Sequence, residues 1–341
     1  MNAERKIVSI KDIAEISGVS VATVSRVLND KGKSSEATRR RVLAVAEQYG
    51  YVSNMAAKSL REARSKTIGL ILPNITNAFF SSIAYSIETY LFDHNYSLLI
   101  CNSGNSAEKE REYFRTLVGK SVDGILCISE LRELPPEVLS RGIPIVSIDR
   151  HPQTARKIPW VGNDDQKVAF EATAHLIELG CRHIAFISNY QSEYNHNRRL
   201  SGYVEALGSH AIALDRNLIV ERSGKEATHI EVELLLHDLI KNGNPIDGII
   251  ASSEMAGIGA LAALHSAGLS VPEDVKVLCF DNTTLSLIAA TSLSSIERNP
   301  RMIADKSCEL LLSLIDGSGP EDSDIYVPAS LIDRQSTQSQ H

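Results

Sequence analysis

Residues 9–29 read SIKDIAEISGVSVATVSRVLN and contain the signals of two short helices joined by a tight turn. Ser9 followed by Asp12 forms a capping box, a pattern that predicts the start of a helix. Gly18 predicts the turn, because a residue without Cβ tolerates the backbone of a sharp corner. Between these signals, apolar side chains recur at helical spacing, at Ile10, Ile13, Ala14 and Ile16.

A second helix is predicted to start after Ser20, whose hydroxyl can cap it. Its buried face is predicted at Val24, Val27 and Leu28, and its outer face at Val21, Ala22, Ser25 and Arg26. Two short helices joined by a turn containing glycine are typical of a helix-turn-helix, whose second helix enters the major groove of DNA. The pattern alone also fits a small helical hairpin without a DNA role.

The residues that follow decide between these two interpretations. Residues 35–42 read SEATRRRV and predict a third capped helix, and residues 49–61 read YGYVSNMAAKSLR. With these three segments in this order and spacing, the chain resembles the lactose-repressor (LacI/GalR) family of bacterial transcription regulators, and the resemblance extends to about residue 334. It implies an all-α helix-turn-helix headpiece over residues 1–62, which includes a hinge. It also implies a ligand-binding and dimerisation domain over residues 67–341.

The outer face of the second helix carries the predicted contacts to DNA bases. Val21 and Ala22 can lie against thymine methyl groups, and Arg26 can grip guanine O6 and N7. A phosphate contact is the alternative for Arg26. Phosphate contacts fix the register of a protein on DNA without reading sequence, and they are predicted for the hydroxyls of Ser20, Thr23 and Ser25.

For the hinge at residues 54–61, the resemblance implies a helix that orders on operator DNA beside its copy in a dimer. Alone, so short a helix is marginal in water because its nucleation cost is hardly recovered. The resemblance also implies that Leu60 wedges into the minor groove, where an apolar side chain can unstack a base step. Lys58 is expected to contact a phosphate, and it stands where the family frequently has arginine. Ser53 stands where the family frequently has proline.

From Thr67 onward, strand-like apolar runs alternate with helical segments. Strands are predicted over 68–72, 97–101, 123–128, 143–149, 183–187, 247–251 and 275–280, and helices over 78–93, 106–118, 165–179, 197–208, 227–241 and 255–267. Such alternation indicates parallel sheets of the doubly wound type. An internal echo, VDGILCIS at 122–129 and IDGIIASS at 246–253, indicates two similar lobes.

The resemblance implies that this α/β body has a periplasmic-binding-protein-like fold. Its lobes are expected at about 67–160 with 292–322 and at about 161–291 with 323–341, with crossings near 161, 291 and 323. Ligands of open parallel sheets bind outside the carboxyl ends of the strands. The candidate ligand site therefore consists first of polar residues that follow strand-like runs: Asn74, Asp149, Glu254 and Asp281.

These side chains favour a small ligand rich in hydroxyls, because carboxylates accept hydroxyl hydrogen bonds strongly in a closed cleft. Phe79, Phe80 and Trp160 can offer aromatic faces to a sugar, or they can simply pack in a core. The resemblance adds Arg199, which begins an RLSGY motif whose arginine holds the effector in the family. Ser253-Glu254 stands where the family usually has Asn-Asp, so its carboxylate is displaced by one methylene.

The charge of the chain is divided unevenly. The 341 residues carry a formal net charge of −7, yet residues 1–66 hold 13 Lys and Arg against 7 Asp and Glu, which leaves +6 there and −13 elsewhere. A basic head on an acidic body suits a protein that presents one end to a polyanion. The five scattered cysteines are expected to be buried thiols, and the lack of a signal-peptide layout predicts a cytoplasmic protein without a membrane partner.

Two other functional classes fit parts of the sequence. GIGALA at 257–262 fits the GxGxxA fingerprint of a nucleotide-binding oxidoreductase, but five residues separate it from the preceding strand, which would place its glycines inside a helix. A solute-binding protein without a role in gene control fits the body but not the basic head. No common nucleophile or metal-ligand motif occurs, so neither an enzyme nor a cofactor is expected. The sequence predicts a dimeric, ligand-controlled repressor of carbohydrate-utilisation genes that binds double-stranded operator DNA.

Overall fold

The computed structural model describes residues 8–28, 34–51, 64–129, 131, 133–151, 157–189, 193–222, 228–320 and 323–338. The chain divides into two compact units, residues 1–65 and residues 66–341, which we call the headpiece and the body. The whole hinge at residues 54–61 lies outside the described residues, as does Ser53, and the predictions for Ser53, Lys58 and Leu60 therefore stay predictions.

The described residues of the headpiece form three helices, α1 (Ile10–Ser17), α2 (Val21–Leu28) and α3 (Glu36–Gln48). The capping box forms as predicted, because the Asp12 carboxylate accepts the backbone N–H of Ser9 at 2.7 Å and the Ser9 hydroxyl accepts that of Asp12 at 3.4 Å. Gly18 ends α1 with a left-handed φ of 65°, the conformation that the turn requires.

The three helices of the headpiece enclose one small apolar core, formed by Ile13, Ala14, Val24, Val27 and Val42. Leu28 packs against it from the side, so the predicted inner face of α2 is confirmed. Ile16 is an exception to the predicted pattern, since 47% of its surface is exposed. Ser17 is buried instead, because α1 meets its neighbours through positions 13, 14 and 17.

The body contains two six-stranded sheets. The first is formed by β1 (Thr67–Leu72), β2 (Ser97–Asn102), β3 (Gly124–Cys127), β4 (Ile145–Ile148), β5 (Trp160–Gly162) and β11 (Asp324–Tyr326), and its order is β11-β5-β4-β3-β1-β2. The second is formed by β6 (Ile184–Asn189), β7 (Ile219–Arg222), β8 (Gly248–Ala251), β9 (Lys276–Phe280), β10 (Ser294–Glu297) and β12 (Ser330–Ile332), in the order β12-β10-β9-β8-β6-β7. All neighbours are parallel except β12, which runs antiparallel to β10.

Helices cover both faces of each sheet, so the doubly wound α/β class is confirmed. Four belong to the first lobe: α4 (Ala78–Asp93), α5 (Ala107–Gly119), α6 (Pro136–Arg141) and α12 (Pro300–Ile315). Five belong to the second: α7 (Asp165–Glu178), α8 (Glu193–Ser209), α9 (Thr228–Lys241), α10 (Glu254–Ser266) and α11 (Thr284–Ile288). Along β1, Leu70 and Leu72 face the core beneath α4 and α12, whereas Ile71 faces the core beneath α5.

The chain crosses between the lobes three times, at residues 163–164, 298–299 and 327–329, which we call the crossovers. They lie a few residues later than the predicted positions near 161, 291 and 323. The correction moves β10 into the second lobe and β11 into the first. These short strands escaped recognition because three or four residues show too little period-two pattern, and Ser294-Ser295 at the start of β10 is polar.

The internal echo marks equivalent strands, since β3 and β8 occupy the same place in their two sheets. The aspartate before each strand has the same role in both lobes. Asp123 accepts the backbone N–H of Lys66 at 3.0 Å, and Asp247 accepts those of Arg182 and His183 at 2.8 and 2.7 Å. Each carboxylate thus fixes the chain just before the neighbouring strand.

The glycines of the GIGALA segment lie inside α10 and not at a strand-to-helix turn. A Cβ on Gly259 would come within 2.4 Å of the backbone oxygen of His229, and one on Gly257 would meet Cys279 at 3.2 Å. They allow helix α10 to pack closely against its neighbours, which leaves the dinucleotide interpretation without structural support. All five cysteines are buried thiols, and within the described residues no helix is long and apolar enough to cross a bilayer.

A close crossing of α7 and α8 depends on Gly202, the glycine of the RLSGY motif. A Cβ there would lie 2.1 Å from the backbone oxygen of Gln166, whereas one on Gly208 of the same helix would meet nothing within 4 Å. We expect Gly202→Ala to lower the free energy of unfolding by about 1–3 kcal/mol through overpacking. Gly208→Ala should raise it by about 0.5–1 kcal/mol, the usual gain in a helix.

Urea unfolding of the full chain, followed by circular dichroism, compares the two variants. Equal shifts of the unfolding midpoint would contradict the close helix crossing.

Candidate functional site

The outer face of α2 exposes the residues that were predicted to read bases. Val21 is 41% exposed, and Ala22 and Arg26 are also exposed, while Val24 is fully buried on the opposite face. The Arg26 guanidinium lies back along its own helix, where Nε donates to the Ala22 carbonyl at 3.3 Å. This long, exposed bond is weak, so the guanidinium can leave it at low cost to reach a base edge.

The predicted phosphate ligands of α2 also take part in local hydrogen bonds. The Ser20 hydroxyl accepts the backbone N–H of Thr23 at 3.2 Å, which confirms it as the cap of the helix, and the two hydroxyls lie 2.9 Å apart. Ser25 is half-buried. Phosphate contacts by these three hydroxyls stay predictions.

A cavity of about 120 Å³ lies between the two lobes of the body. The first lobe lines it with Asn77, Phe79, Phe80, Asp149 and Arg150. The second lobe and the crossover at 298–299 line it with Phe186, Ser188, His196, Arg199, Arg222, Thr228, Ser252, Ser253, Asp281 and Arg298. Most of the polar residues follow the carboxyl ends of strands, as expected for a ligand site in open parallel sheets.

Asp149 and Asp281 occupy equivalent positions, one after β4 and the other after β9. Both have left-handed backbone conformations, with φ values of 62° and 71°. Aspartate tolerates this region better than most residues because its short polar side chain can hydrogen-bond locally. The two lobes thus present a pair of related carboxylates to the same cavity.

Arg298 joins these carboxylates across the cleft. Its guanidinium donates to Asp149 through Nη2 and to Asp281 through Nη1, the latter at 3.3 Å, and the side chain is only 3% exposed. Nε donates to the Asn163 side chain at 3.0 Å, and the guanidinium lies 4.2 Å from the ring centroid of Phe79. One side chain therefore contacts the first lobe, the second lobe and another crossover.

The charges of this cluster shift the pKa values of its members. Burial raises the pKa of Asp281 to about 6, although Arg298 and Arg199 oppose that rise. Burial also disfavours the charge of Asp149, but Arg298 and Arg199 outweigh it and lower the pKa of Asp149. The pKa of Arg298 is raised, because Asp149 and the other nearby carboxylates outweigh the effect of burial.

Arg199 lines the cavity as predicted and is held by the second lobe. Its Nε donates to Asp165 at 2.9 Å, its Nη1 donates to the Ser252 carbonyl at 3.1 Å, and its guanidinium lies 3.8 Å from the ring centroid of Phe280. Asp164 caps α7 by accepting the backbone N–H of Lys167 at 3.4 Å. The paired aspartates thus have separate roles, one as a cap and one as the partner of Arg199.

Phe79, Phe80, Asp149, Arg199 and Asp281 are brought together, but three predicted ligand residues lie away from the cavity. The Asn74 amide oxygen accepts both the N–H and the hydroxyl of Thr76, at 2.9 and 2.8 Å. Trp160 is 2% exposed and packs edge-on against Tyr326, with the ring centroids 5.3 Å apart. These two side chains serve a local turn and the core of the first lobe.

Glu254 is the third correction, because its carboxylate is already saturated. It accepts the backbone N–H and the hydroxyl of Thr283, both at 2.6 Å. It also accepts the backbone N–H of Ser286 at 3.1 Å and the hydroxyl of the same residue. The side chain is 3% exposed and braces the start of α11. The extra methylene lets it reach this helix rather than the cavity.

Arg298 and Arg222 are the principal cavity residues that the sequence analysis missed. Arg298 directly follows β10 and Arg222 is the last residue of β7, and neither strand was recognised in the sequence. The rule that points to strand ends would have found both arginines if those strands had been known.

Residues 9–54 match the family model described as bacterial regulatory proteins of the lacI family, and residues 173–337 match one described as a periplasmic binding protein-like domain. The ribose operon repressor of Halalkalibacterium halodurans is 32% identical over 331 residues, which cover 96% of this chain and 97% of the relative. The chain belongs to the lacI family. This lacI-family protein is a bacterial transcription regulator and not an enzyme.

Two solved structures share the architecture of this lacI-family regulator. A complex of the transcriptional regulator CelR with cellobiose has 27% sequence identity and a TM-score of 0.73, and the match covers 96% of this chain and 99% of that one. A lac repressor dimer bound to operator and the anti-inducer ONPF has a TM-score of 0.84 with 98% and 100% coverage. At 23% identity, the second comparison supports the fold alone.

Removing Arg298 should destabilise the body of this lacI-family regulator, because its buried carboxylate partners would keep their burial and lose their counter-charge. Arg298→Met leaves Asp149 and Asp281 buried without their shared partner, so we expect the free energy of unfolding to fall by about 3–5 kcal/mol. Arg301→Met is the matched control, because Arg301 is 89% exposed and forms a surface ion pair with Asp305 at the long distance of 3.9 Å. Its effect should stay within about 0.5 kcal/mol.

Urea unfolding of the full chain measures both variants. Similar losses from the two substitutions would contradict the assignment of Arg298 as the buried link between the lobes.

Proposed function

We propose that this regulator is a cytoplasmic repressor of carbohydrate-utilisation genes that binds a palindromic operator as a homodimer. A sugar or sugar derivative in the cavity between the lobes controls its affinity for DNA. The observation that carries this proposal is the combination, in one chain, of an exposed recognition-helix face and a polar cavity lined by two lobes. The ribose operon repressor and the CelR complex with cellobiose support the sugar class.

The DNA-binding half rests on the outer face of α2. One headpiece reads too few bases for specificity, whereas two headpieces related by a two-fold axis read a palindrome. Val21 and Ala22 supply apolar contacts to thymine, and Arg26 supplies the contact to guanine. Ser20, Thr23, Ser25 and Lys58 position the headpiece on phosphates, and Leu60 inserts into the minor groove.

The ligand-responsive half rests on the three crossovers between the lobes. A ligand can change the affinity for DNA only if it binds one arrangement of the lobes better than another. Coupling of this kind between two sites typically amounts to about 1–3 kcal/mol. The proposed target is the hinge at 54–61, since a helix of that length depends on external contacts for its order.

The base-reading assignment predicts that Arg26→Ala lowers the affinity for the selected operator by about 1–3 kcal/mol and relaxes preference at one base pair per half-site. Arg40→Ala on α3 removes the same charge from another exposed position and should weaken binding about equally for all sequences.

The operator is first selected from randomised DNA with the full chain, and fluorescence anisotropy then compares it with single-base variants. If Arg26→Ala also weakens all sequences equally, Arg26 is a phosphate ligand and the assignment is wrong.

The cavity assignment predicts that Ser252→Leu abolishes the response to ligand, because the larger side chain fills the space at the wall of the cavity. Operator affinity without ligand should stay within about a factor of three, since distant sites are usually independent. Truncating Arg199 is a poorer test because it would leave Asp165 buried without its partner. Ser266→Leu, at the exposed end of α10, is the matched control and should respond normally.

A thermal-shift panel of sugars, sugar acids, sugar phosphates and purines identifies a ligand, and operator titrations with and without it measure the response. A Ser252→Leu protein that responds at the wild-type ligand concentration would show that the ligand binds elsewhere.

A further inference from the structure

The cavity between the lobes is rich in hydrogen-bond donors. The guanidinium groups of Arg150, Arg199, Arg222 and Arg298 line it, together with the imidazole of His196. The carboxylates on its wall are Asp149 and Asp281, and Arg298 binds both. A neutral sugar needs acceptors for its hydroxyl protons, and in this cavity the strongest acceptors are already engaged.

Arg222 carries the most informative of these donors. It is the last residue of β7 and is 6% exposed. Its Nη2 forms an ion pair with Glu231 at 3.2 Å, but its buried Nε–H has no hydrogen-bond partner. Burying an unsatisfied donor costs about 1–3 kcal/mol, and more for a charged group, so this N–H needs an acceptor that the described side chains do not supply.

The surroundings of Arg222 add further donors. His196 is 6% exposed, and its Nδ1 lies 2.8 Å from the Ser188 hydroxyl. Its Nε2 lies 3.6 Å from a carboxylate oxygen of Glu221. Thr228 lines the same cavity and begins α9, a helix of 14 residues whose first N–H groups favour negative charge.

Glu231 does not neutralise this end of the cavity completely. Its carboxylate pairs with Nη2 of Arg222 and is not part of the cavity wall, whereas the buried Nε of the same guanidinium has no acceptor among the described residues. A guanidinium presents five donors in a fixed fork, so it can bind a carboxylate on one side and a second anion on another.

We propose that the effector is an anion, a sugar derivative with a carboxylate or phosphate group that accepts hydrogen bonds from Arg222 and lies beside His196 and Thr228. The sugar portion then lies towards Phe79 and Phe80, at the side of the cavity formed by the first lobe. This inference rests on the proposed function, because it assigns the chemical class of the effector and the residue that selects it.

The test uses the full chain and two matched series of probes. One contains ribose, ribonate and ribose 5-phosphate, and the other contains glucose, glucuronate and glucose 6-phosphate, with inorganic phosphate as the probe for the anionic group alone. Calorimetric titration should show that at least one acid binds at least about tenfold more tightly than its neutral parent, as expected for charge-assisted hydrogen bonds. The carboxylate and phosphate members distinguish the two sources of the charge.

Arg222→Gln should remove that preference, so that the acid binds no more tightly than its neutral parent to the same variant. Because this substitution also removes the Arg222 partner of Glu231, the double variant Arg222→Gln with Glu231→Gln keeps a neutral pair and should lose the preference equally. Arg222→Lys should retain part of it, since an ammonium keeps the charge but loses the planar fork. Arg216→Gln, an exposed position in the same lobe, is the control and should bind like the wild type.

Two outcomes would overturn the inference: no acid binds more tightly than its neutral parent, or the double variant keeps the preference. Operator binding is measured separately. A neutral sugar that changes operator affinity would leave the proposed function intact and contradict only the anionic effector. Failure to select any operator from randomised DNA would contradict the proposed function, whatever the acids do.

Discussion

The body of this regulator depends on one buried arginine that satisfies two carboxylates from different lobes. Asp149 and Asp281 follow equivalent strands, and each would be costly to bury without Arg298. Charge burial is expensive even in a pair, so the cluster is better understood as fixing the geometry of the cleft than as a source of stability. Asn163 extends this geometry, because its amide donates to the backbone oxygens of Arg298 and Val327 at 3.2 and 2.9 Å and so connects all three crossovers.

We propose that this arrangement allows the cleft to act as a switch. The crossovers are short and meet at one hydrogen-bonded point, so movement of one lobe against the other must act on Arg298 and its partners. A ligand bound in this cavity would contact the same groups, and it could favour one arrangement only through a difference in affinity. The buried donors of Arg199 and Arg222 lie on one lobe, whereas Phe79 and Phe80 lie on the other, so a ligand that spans the cavity contacts both.

The sequence was sufficient for features that depend on neighbouring residues. The capping box at Ser9 and Asp12, the turn at Gly18 and the buried face of α2 all follow from local patterns. Strand ends located Asp149 and Asp281, but the same rule failed for Arg298 and Arg222 because their strands are too short to show a pattern. Glu254 and Trp160 could not be placed from sequence, since their partners Ser286 and Tyr326 are distant in the chain and only tertiary packing brings them together.

Thermodynamic linkage tests most directly whether ligand binding in the cleft and DNA binding by the headpiece are coupled. Calorimetric titration measures the affinity of the identified ligand for the full chain, free and saturated with operator. We expect the two ligand affinities to differ by about 5–150-fold. The ligand should change the affinity for the operator by the same factor, because coupling between two sites is reciprocal. Equal ligand affinity in the free and operator-bound states would contradict it.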